Sequence, residues 1–346
     1  MKLTQRKKEI LQETIVEFIK RAEPVSSQSI ARKLGSELSP ATIRKEMAEL
    51  EEMGYLTHPH TSAGRIPTDM GYRYYVDHIV YEKLNLASKN KKEVVSIDLM
   101  VDKDMGLEAI LERYSQLLAK FTNYLSMIVA PNISQSKFRH IELIRFEGGS
   151  FLLVLITNTG RVYKRIFSLE GAYNDLDLQR VTNILNSQLK GKSIGEIGAE
   201  NIRLSEGESY LILFIKKVIE LVKDCEEESL LHDRVFVHGI GEFLRQLEFM
   251  NLAKLHDILA IVENEYLLAK LLLNLPGEEG FTVRIGSEIQ ERGTDDLSLI
   301  ASKYRIAGIP GGVIGVLGPK RMDYYRVIGV LNTFRENLSY VLDFGG

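Results

Sequence analysis

The sequence lacks features on which several classes of protein depend. Its 346 residues contain one cysteine, Cys225, so an internal disulfide is impossible. No apolar run approaches the roughly 18 uncharged residues that a membrane helix needs. The first residues, MKLTQRKKE, also lack the apolar core of a signal peptide. We therefore expect a protein with neither a disulfide nor a membrane partner, which stays in the cytoplasm.

Recognisable catalytic motifs are missing as well. Residues 308–318 are rich in glycine, but Pro319 and Lys320 follow in place of the Gly-Lys-Ser/Thr ending that holds phosphate and magnesium in a phosphate-binding loop. A strand and a turn fit this stretch better. Neither a Gly-x-Ser-x-Gly motif nor a kinase signature occurs. The sequence thus predicts no catalytic residues, no cofactor and no enzyme activity.

The candidate metal ligands are poorly spaced. His232 and His238 are six residues apart, with Cys225 seven residues before the first. This spacing fits neither a histidine pair one helical turn apart nor a Cys-x-x-Cys site. His58 and His60 have no cysteine nearby and are more typical of a strand surface. We therefore predict no metal site, and we expect Cys225, in an apolar helical run, to be a buried structural thiol.

The charge is mildly acidic and unevenly distributed. The net charge is −3, and residues 1–90 hold 14 Lys or Arg and 12 Asp or Glu, which gives +2 and leaves −5 for the remainder. Because this asymmetry is small, a DNA-binding surface would have to arise from local clustering of basic side chains rather than from bulk charge.

A helix with well-marked ends is predicted after Ser39. Ser39 suits the N-cap and Pro40 the first helical position, while Gly54 can end the helix in the left-handed conformation. Apolar residues recur at helical spacing and predict one buried face. They are Ile43, Met47 and Leu50.

The charges of this helix oppose its dipole. Its first half is basic and its second half acidic, and each misplaced charge costs roughly 0.3 to 1 kcal/mol. A partner would explain this order: if the N-terminal turns enter a DNA major groove, Thr42, Arg44 and Lys45 meet phosphates and base edges. The alternative is an ordinary solvated face with scattered charges. The acidic residues are Glu46, Glu49, Glu51 and Glu52.

The residues after Gly54 predict a β-hairpin. In YLTHPHTSAGRIPT, Pro59 and Pro67 bracket a small polar turn that contains Gly64. Arg65 follows this turn without an obvious acidic neighbour. Because its planar guanidinium suits phosphate oxygens, we predict that Arg65 contacts the DNA backbone or the minor groove.

The elements before and after this stretch complete a winged helix-turn-helix. A first helix capped by Thr4 stops before Pro24, and a short second helix capped by Ser26 or Ser27 ends at Gly35. After the hairpin, Thr68 starts a connector helix. The polar run of residues 87–92 marks the boundary, so the DNA-binding domain with its connector covers residues 1–88.

Two runs in this domain closely resemble the heat-inducible transcription repressor family HrcA: SPATIRKEMAELEEMGYL and HPHTSAGRIPTDMGYRYYVD. The resemblance implies a dimeric repressor that binds an inverted-repeat operator upstream of chaperone operons. It also implies release on heating and modulation by the chaperonin. We assign DNA binding to Ser39, Ala41, Thr42, Arg44, Lys45, His60, Thr61, Ser62 and Arg65.

The rest of the chain predicts an α+β domain with an insertion. A long amphipathic helix begins near Leu107 and closes at Pro131. Strands are predicted at 138–146, 150–157, 161–167, 281–285, 297–304 and 312–318, and a final helix at 323–342. The outer segments look like a GAF-type sensor fold. We divide the chain into a GAF-like antiparallel-sheet domain of residues 89–172 and 276–346 and a mostly helical insertion of residues 173–275.

The insertion contains very apolar helices. LILFIKKVIELV at 211–222 and LLAKLLLNL at 267–275 carry apolar residues on more than one face. A second copy of the chain would cover them, which predicts a dimerisation domain. Packing of these helices on the sheet is the alternative.

A second function also fits the sequence. The protein could be a metabolite-sensing winged-helix regulator, with a small effector bound in a GAF-like pocket formed by residues 138–167 or 281–318. Such a ligand would shift both the melting temperature and the operator affinity, because binding is linked to both.

Overall fold

The computed structural model describes residues 3–35, 38–59, 64–82, 106–131, 136–146, 149–169, 171, 173–231, 235–246, 252–273, 280–306 and 309–344. These residues form the predicted α+β protein, with sheets of two, three and five strands. None of its described helices combines the length and the apolar composition that a membrane span requires.

The first three helices begin at the predicted caps. They are α1 (Gln5–Arg21), α2 (Ser27–Leu34) and α3 (Pro40–Glu52). The Thr4 hydroxyl accepts a hydrogen bond from the Lys7 N–H at 3.4 Å, and Ser26 and Ser39 cap α2 and α3 in the same way. Their inward side chains share one core, which includes Ile10, Leu11, Ile15, Ile30, Ile43, Met47 and Leu50.

The predicted wing follows α3. Gly54 has a φ of +81°, so it ends the helix in the left-handed region that favours glycine. Strands β1 (Leu56–Thr57) and β2 (Ile66–Pro67) then pair antiparallel. Thr68 caps α4 (Asp69–Tyr75), as predicted, and α4 continues into a single π-helical turn, Val76–Val80.

The first helix of the larger domain is shorter than predicted. α5 (Leu107–Thr122) ends at Asn123, which is in the left-handed conformation. The chain then enters strand β3 (Leu125–Val129) instead of continuing as a helix to Pro131. All five residues of β3 are buried. A strand buried on both faces shows no alternation, so its apolar residues extended the helical pattern in the sequence.

The next three strands form a sheet of their own. β4 (Phe138–Arg145), β5 (Ser150–Thr157) and β6 (Val162–Ser168) pair antiparallel in sequence order. The prediction that they share one sheet with the strands of residues 281–318 is wrong. Periodicity identifies a strand and its buried face, but it does not identify the strand with which it pairs.

Two helices cover one face of this three-stranded sheet. They are α6 (Asp175–Leu189) and α7 (Ile212–Leu231). Together they bury Leu153 and Leu155 of β5 with Phe214 of α7, and Cys225 is buried in the same core. Cys225 is therefore the structural thiol that the sequence predicts, and burial raises the pKa of its thiol. This unit spans residues 138–225, so the insertion begins before residue 173.

The remaining strands complete a five-stranded antiparallel sheet. They are β7 (Val235–His238), β8 (Phe281–Ile285), β9 (Leu297–Ile306) and β10 (Ile309–Pro319), and the order is β7-β3-β10-β9-β8. β3 and β7 are neighbours, with Val129 opposite Val235. The insertion therefore leaves and re-enters this sheet at adjacent positions.

Helices cover both faces of the five-stranded sheet. α8 (Ile240–Leu244), α9 (Leu252–Val262) and α10 (Glu265–Leu273) pack on one face, and α5 and α11 (Tyr324–Phe344) on the other. Leu268, Leu271 and Leu272 of α10 are buried there. The very apolar helices α7 and α10 thus pack mainly on sheets of their own chain, which was the alternative to burial against a second copy.

One apolar core joins the DNA-binding domain to the five-stranded sheet. It runs from Ile43 and Leu50 of α3 through Tyr72 of α4 to Tyr324 and Ile328 of α11. No break separates the two domains within this cluster. The insertion, in contrast, has a separate core.

We expect Leu153→Ala to destabilise the insertion selectively. Leu153 is fully buried, and truncating a buried leucine costs about 2–5 kcal/mol. Urea denaturation would measure this loss, and hydrogen exchange should locate faster exchange within residues 138–225. Leu176→Ala, at a leucine of α6 that is 63% exposed, is the matched control and should change stability by less than about 0.5 kcal/mol. Equal acceleration in β8–β10 would contradict a separate core.

Candidate nucleic-acid interface

The N-terminus of α3 is an ordered and exposed polar tip. The Ser39 hydroxyl accepts a hydrogen bond from the Thr42 N–H at 3.1 Å, and the two hydroxyl oxygens are 2.9 Å apart. Ile43 is fully buried one residue later. Because the buried face fixes the rotation of the helix, Ala41, Arg44 and Lys45 point to solvent.

Arg44 and Lys45 are available to a partner. Both are exposed, and Arg44 makes no ion pair with the part of the chain that the structure describes. Lys45 lies close enough to Glu49 to contribute to the lowered pKa of that carboxyl group. Exposed guanidinium and ammonium groups in the first turns of an α-helix suit base edges and phosphates in a major groove.

Basic residues at the start of α1 pair with two of the four acidic residues of α3. Lys7 pairs with Glu46 at 3.1 Å and with Glu49 at 2.7 Å, and Arg6 lies 3.7 Å from Glu46. The hydrogen bond from Lys7 lowers the pKa of Glu49, and the same pair raises the pKa of Lys7. Part of the negative charge of α3 is therefore paired within the domain.

An isolated β-bridge, which the sequence did not predict, joins the wing to the segment between α1 and α2. Val25, between α1 and α2, exchanges two backbone hydrogen bonds of 2.9 Å with Arg65. Gly64 lies so close to this segment that an added Cβ would be 2.4 Å from the Val25 carbonyl oxygen. The glycine is therefore required by a close approach of two backbones. In the sequence, the only sign of this bridge is the isolated apolar Val25 after Pro24.

Arg65 does have an acidic partner, contrary to the prediction. Its Nε lies 2.7 Å from Glu51 Oε2 on α3, and His58 Nδ1 contacts the other oxygen of the same carboxylate. The sequence hid this pair because Glu51 belongs to a different element. Arg44 and Glu51 are seven residues apart, which is nearly two full helical turns. The ion pair therefore holds the base of the wing on the face of α3 that begins with Arg44.

An open cavity lies beside the start of α3. It has a volume of about 690 Å³ and is lined by α2 and by the turn after it. Gln28 and Arg32, one turn apart on α2, face this space together with Ser39 and Pro40. Gln28 and Arg32 carry no distinguishing signal in the sequence, because short helices with exposed polar residues are common.

The predicted site residues divide into two groups. Ser39, Ala41, Thr42, Arg44 and Lys45 are together on the first turns of α3, and Arg65 is at the base of the wing. His60, Thr61 and Ser62 lie outside the described residues. DNA contact by all nine residues stays a prediction.

Comparison with known families agrees with this geometry. Residues 2–99 match the model described as "Winged helix-turn-helix transcription repressor, HrcA DNA-binding". Residues 108–328 match the model of the HrcA protein C-terminal domain. Together these matches cover most of the chain. The chain belongs to the HrcA family.

Full-length relatives support the assignment to the HrcA family. The chain is 38% identical over 347 residues to the heat-inducible transcription repressor HrcA of Desulforudis audaxviator, with 99% of each chain covered. It is 36% identical over 349 residues to that of Pelotomaculum thermopropionicum, covering 99% of this chain and 98% of the relative. A crystal structure described only as that of a hypothetical protein at 2.2 Å resolution superimposes with a TM-score of 0.64, at 27% identity and full coverage of both chains.

A buried carboxylate holds α2 against α1 in this HrcA-family domain. Glu17 is only 4% exposed. It pairs with Lys33 and, at 2.8 Å, with Arg21, and it accepts a hydrogen bond from the Ser29 hydroxyl at 3.2 Å. The hydrogen bond from Lys33 is the main cause that lowers the pKa of Glu17 below its usual value of 4.5. Glu17 thus fixes the relative position of α1 and α2, the two helices on which α3 packs.

We expect Glu17→Gln to destabilise the protein most at neutral pH. The folded state lowers the pKa of Glu17, so its stabilisation is present above pH 4.5 and is lost as the pH falls through the lowered folded-state pKa. Urea midpoints at a series of pH values would measure the difference from wild type, which should shrink with acidification. The exposed Glu52→Gln is the matched control. A difference that does not change with pH would contradict this role.

Proposed function

We propose that the chain is a homodimeric transcription repressor that binds an inverted-repeat operator upstream of chaperone operons and releases it on heating. One observation carries the proposal: α3 exposes Arg44 and Lys45 on its first turns, while Lys7 pairs with its acidic residues Glu46 and Glu49. No catalytic role is part of this proposal. Action at chromosomal operators places the protein in the cytoplasm.

Five of the nine predicted residues receive a chemical role in this proposal. Arg44 donates to guanine or phosphate, and Lys45 contacts phosphate, because both cations project from turns that fit the major groove. Thr42 offers a hydroxyl, and the Ala41 methyl suits a thymine methyl. Arg65 keeps the base of the wing against α3 through Glu51, and its cationic side chain is proposed to contact the DNA backbone there.

We expect Arg44→Ala to weaken operator binding and relax sequence preference. The loss of one bidentate base contact costs about 1–3 kcal/mol. Fluorescence anisotropy with the operator and with single-base variants of it would measure both effects. Arg113→Ala, at an exposed arginine of α5, is the matched control and should bind as wild type does.

Arg65→Ala should affect DNA binding differently from Arg44→Ala. Loss of this cation should weaken binding to most sequences alike and reduce the salt dependence, since backbone contacts release counterions but carry no base preference. Unchanged affinity and unchanged sequence preference in Arg44→Ala would remove that residue from the interface.

The outer face of the three-stranded sheet supports the proposal that the protein forms a dimer. The face opposite the core of the insertion carries apolar side chains that are largely exposed: Ile144 is 46%, Val162 51% and Ile166 60% exposed. Leu152 and Val154 of the central strand β5 lie between them and are half-buried. Exposed apolar side chains clustered on one sheet face mark an interaction surface.

The charges on this face favour one arrangement of two copies. Glu142 on β4 is opposite Val154, which is opposite Lys164 on β6. A two-fold axis parallel to the strands places β4 of one copy over β6 of the other. Glu142 then meets the second copy's lysine at the same height, on both sides of a central pair of valines. An axis across the strands would place like charges together.

We expect the single charge reversals Glu142→Lys and Lys164→Glu each to weaken the dimer by about tenfold, because each places like charges in contact. The double variant exchanges the two charges and should restore the wild-type dissociation constant. Sedimentation equilibrium would measure all four proteins. A double variant as weak as either single variant would contradict the proposed axis, and a wild-type monomer at all concentrations would exclude the dimer.

Heat release follows from the same interface. A dimer holds two DNA-binding domains on one operator, so its dissociation removes the gain in affinity from simultaneous binding. Heating that separates the copies would also expose the apolar sheet face, a surface of the kind that a chaperonin binds. This agrees with the modulation by the chaperonin that the family resemblance implies. Because side chains fill both faces of the five-stranded sheet, we favour temperature over a small-molecule effector as the input.

A further inference from the structure

Polar contacts attach the DNA-binding domain to the five-stranded sheet at the start of α4. Asp69 Oδ1 lies 2.7 Å from Lys320 Nζ. Its other oxygen, Oδ2, accepts hydrogen bonds from the Ser287 N–H at 3.2 Å and from the Ser287 hydroxyl at 3.3 Å. One carboxylate therefore connects α4 both to the segment after β8 and to the residue after β10.

Arg73, about one helical turn further, makes the most directional contact. Its Nε donates to Glu288 Oε1 at 2.9 Å, while its Nη2 donates to Glu288 Oε2 and, at 2.6 Å, to the Val283 carbonyl oxygen. Two parallel hydrogen bonds between a planar guanidinium and a carboxylate fix orientation as well as distance. This contact therefore resists rotation of α4 about its own axis.

A third attachment lies beyond the π-helical turn. The Tyr81 hydroxyl donates to the Phe281 carbonyl oxygen at 3.1 Å. Asp69 and Tyr81 are separated by about 18 Å along a helix, and Arg73 lies between them. Contacts at three points along this length hold the helix against sliding as well as rotation.

The opposite side of the domain is attached too. Arg321 Nη1 donates to the Ile19 carbonyl oxygen of α1 at 3.1 Å. The rings of Tyr72 and Tyr324 are 6.0 Å apart inside the shared core. Domains within one chain usually move relative to each other unless their interface is large and apolar. Here an apolar core and several directional polar contacts act together.

We propose that Asp69, Arg73, Glu288 and Lys320 determine the spacing of the operator half-sites that the dimer accepts. This inference rests on the proposed function. α3 reads the bases, but the distance between two copies of α3 depends on how firmly each domain is held to the rest of its subunit. If these four residues are positioning residues, their loss leaves the DNA-contacting side chains intact and makes the spacing variable.

The test combines Arg73→Met with Lys320→Met, which remove both cations and keep most of the side-chain volume. Binding would be measured to a series of inverted repeats whose half-sites are moved apart base pair by base pair, and to a single half-site. Wild type should prefer one spacing. The double variant should lose about tenfold at that spacing and bind neighbouring spacings almost equally, since a mobile domain gains less from simultaneous binding. Its half-site affinity should match wild type.

Lys270→Met is the matched control, because Lys270 Nζ forms an ion pair of 2.6 Å with Glu291 in the same sheet domain. Its helix, α10, packs in a different apolar cluster from α4. This variant should keep the wild-type spacing profile. Glu288→Gln is a milder change that can be tested if the double variant folds poorly. It should also make binding less dependent on half-site spacing. Sedimentation would verify that each variant remains a dimer.

Several results would overturn the inference. An unchanged spacing profile would show that the apolar core alone positions the domain. Tighter binding by the double variant would show that the junction holds an arrangement unsuited to the operator, and a parallel loss of half-site affinity would show that these residues act through the fold of the DNA-binding domain. A wild-type protein without any spacing preference would instead contradict the proposed function itself.

Discussion

The packing of α4 is the constraint on which the rest of the structure depends. Tyr72, Tyr75 and Val76 are buried between the helices of the DNA-binding domain and α11. Within the described residues the Tyr72 hydroxyl has no hydrogen-bond partner, and leaving such a group unpaired costs about 1–3 kcal/mol. Apolar burial must outweigh this cost. The orientation of α3 relative to the larger domain is thus set by an apolar contact that polar groups around it refine.

Helix α1 has two roles, one in packing and one in electrostatics. Its apolar side supplies the core of the DNA-binding domain, and Lys7 at its start compensates the acidic residues of α3. The charges that oppose the dipole of α3 are therefore stabilised by a neighbouring helix, while Arg44 and Lys45 remain exposed. Electrostatic repulsion between α3 and a phosphate backbone is reduced without removing any acidic residue from the helix.

Local signals were sufficient for the DNA-binding domain and insufficient for the sheets. Ser39, Thr68 and Gly54 act on their own neighbours, so both ends of α3 and the start of α4 could be predicted from sequence. The partner of β4 depends on residues far along the chain, and a strand buried on both faces, such as β3, shows no alternation. For the same reason the exposure of Arg44 and Lys45 could be predicted from the pattern of α3, whereas the contacts of Arg65 with Glu51 and Val25 needed the three-dimensional structure.

The adjacency of Val129 and Val235 on β3 and β7 has a consequence for how this architecture could have arisen. Residues 130–234 begin and end at one point of a sheet that is complete without them, so this segment stands in the place of an ordinary hairpin loop. Because the entropic cost of closing a loop rises only slowly with its length, an ancestral turn could acquire a whole folded unit at small energetic cost. The self-association that we propose could then have changed independently of the DNA-binding domain.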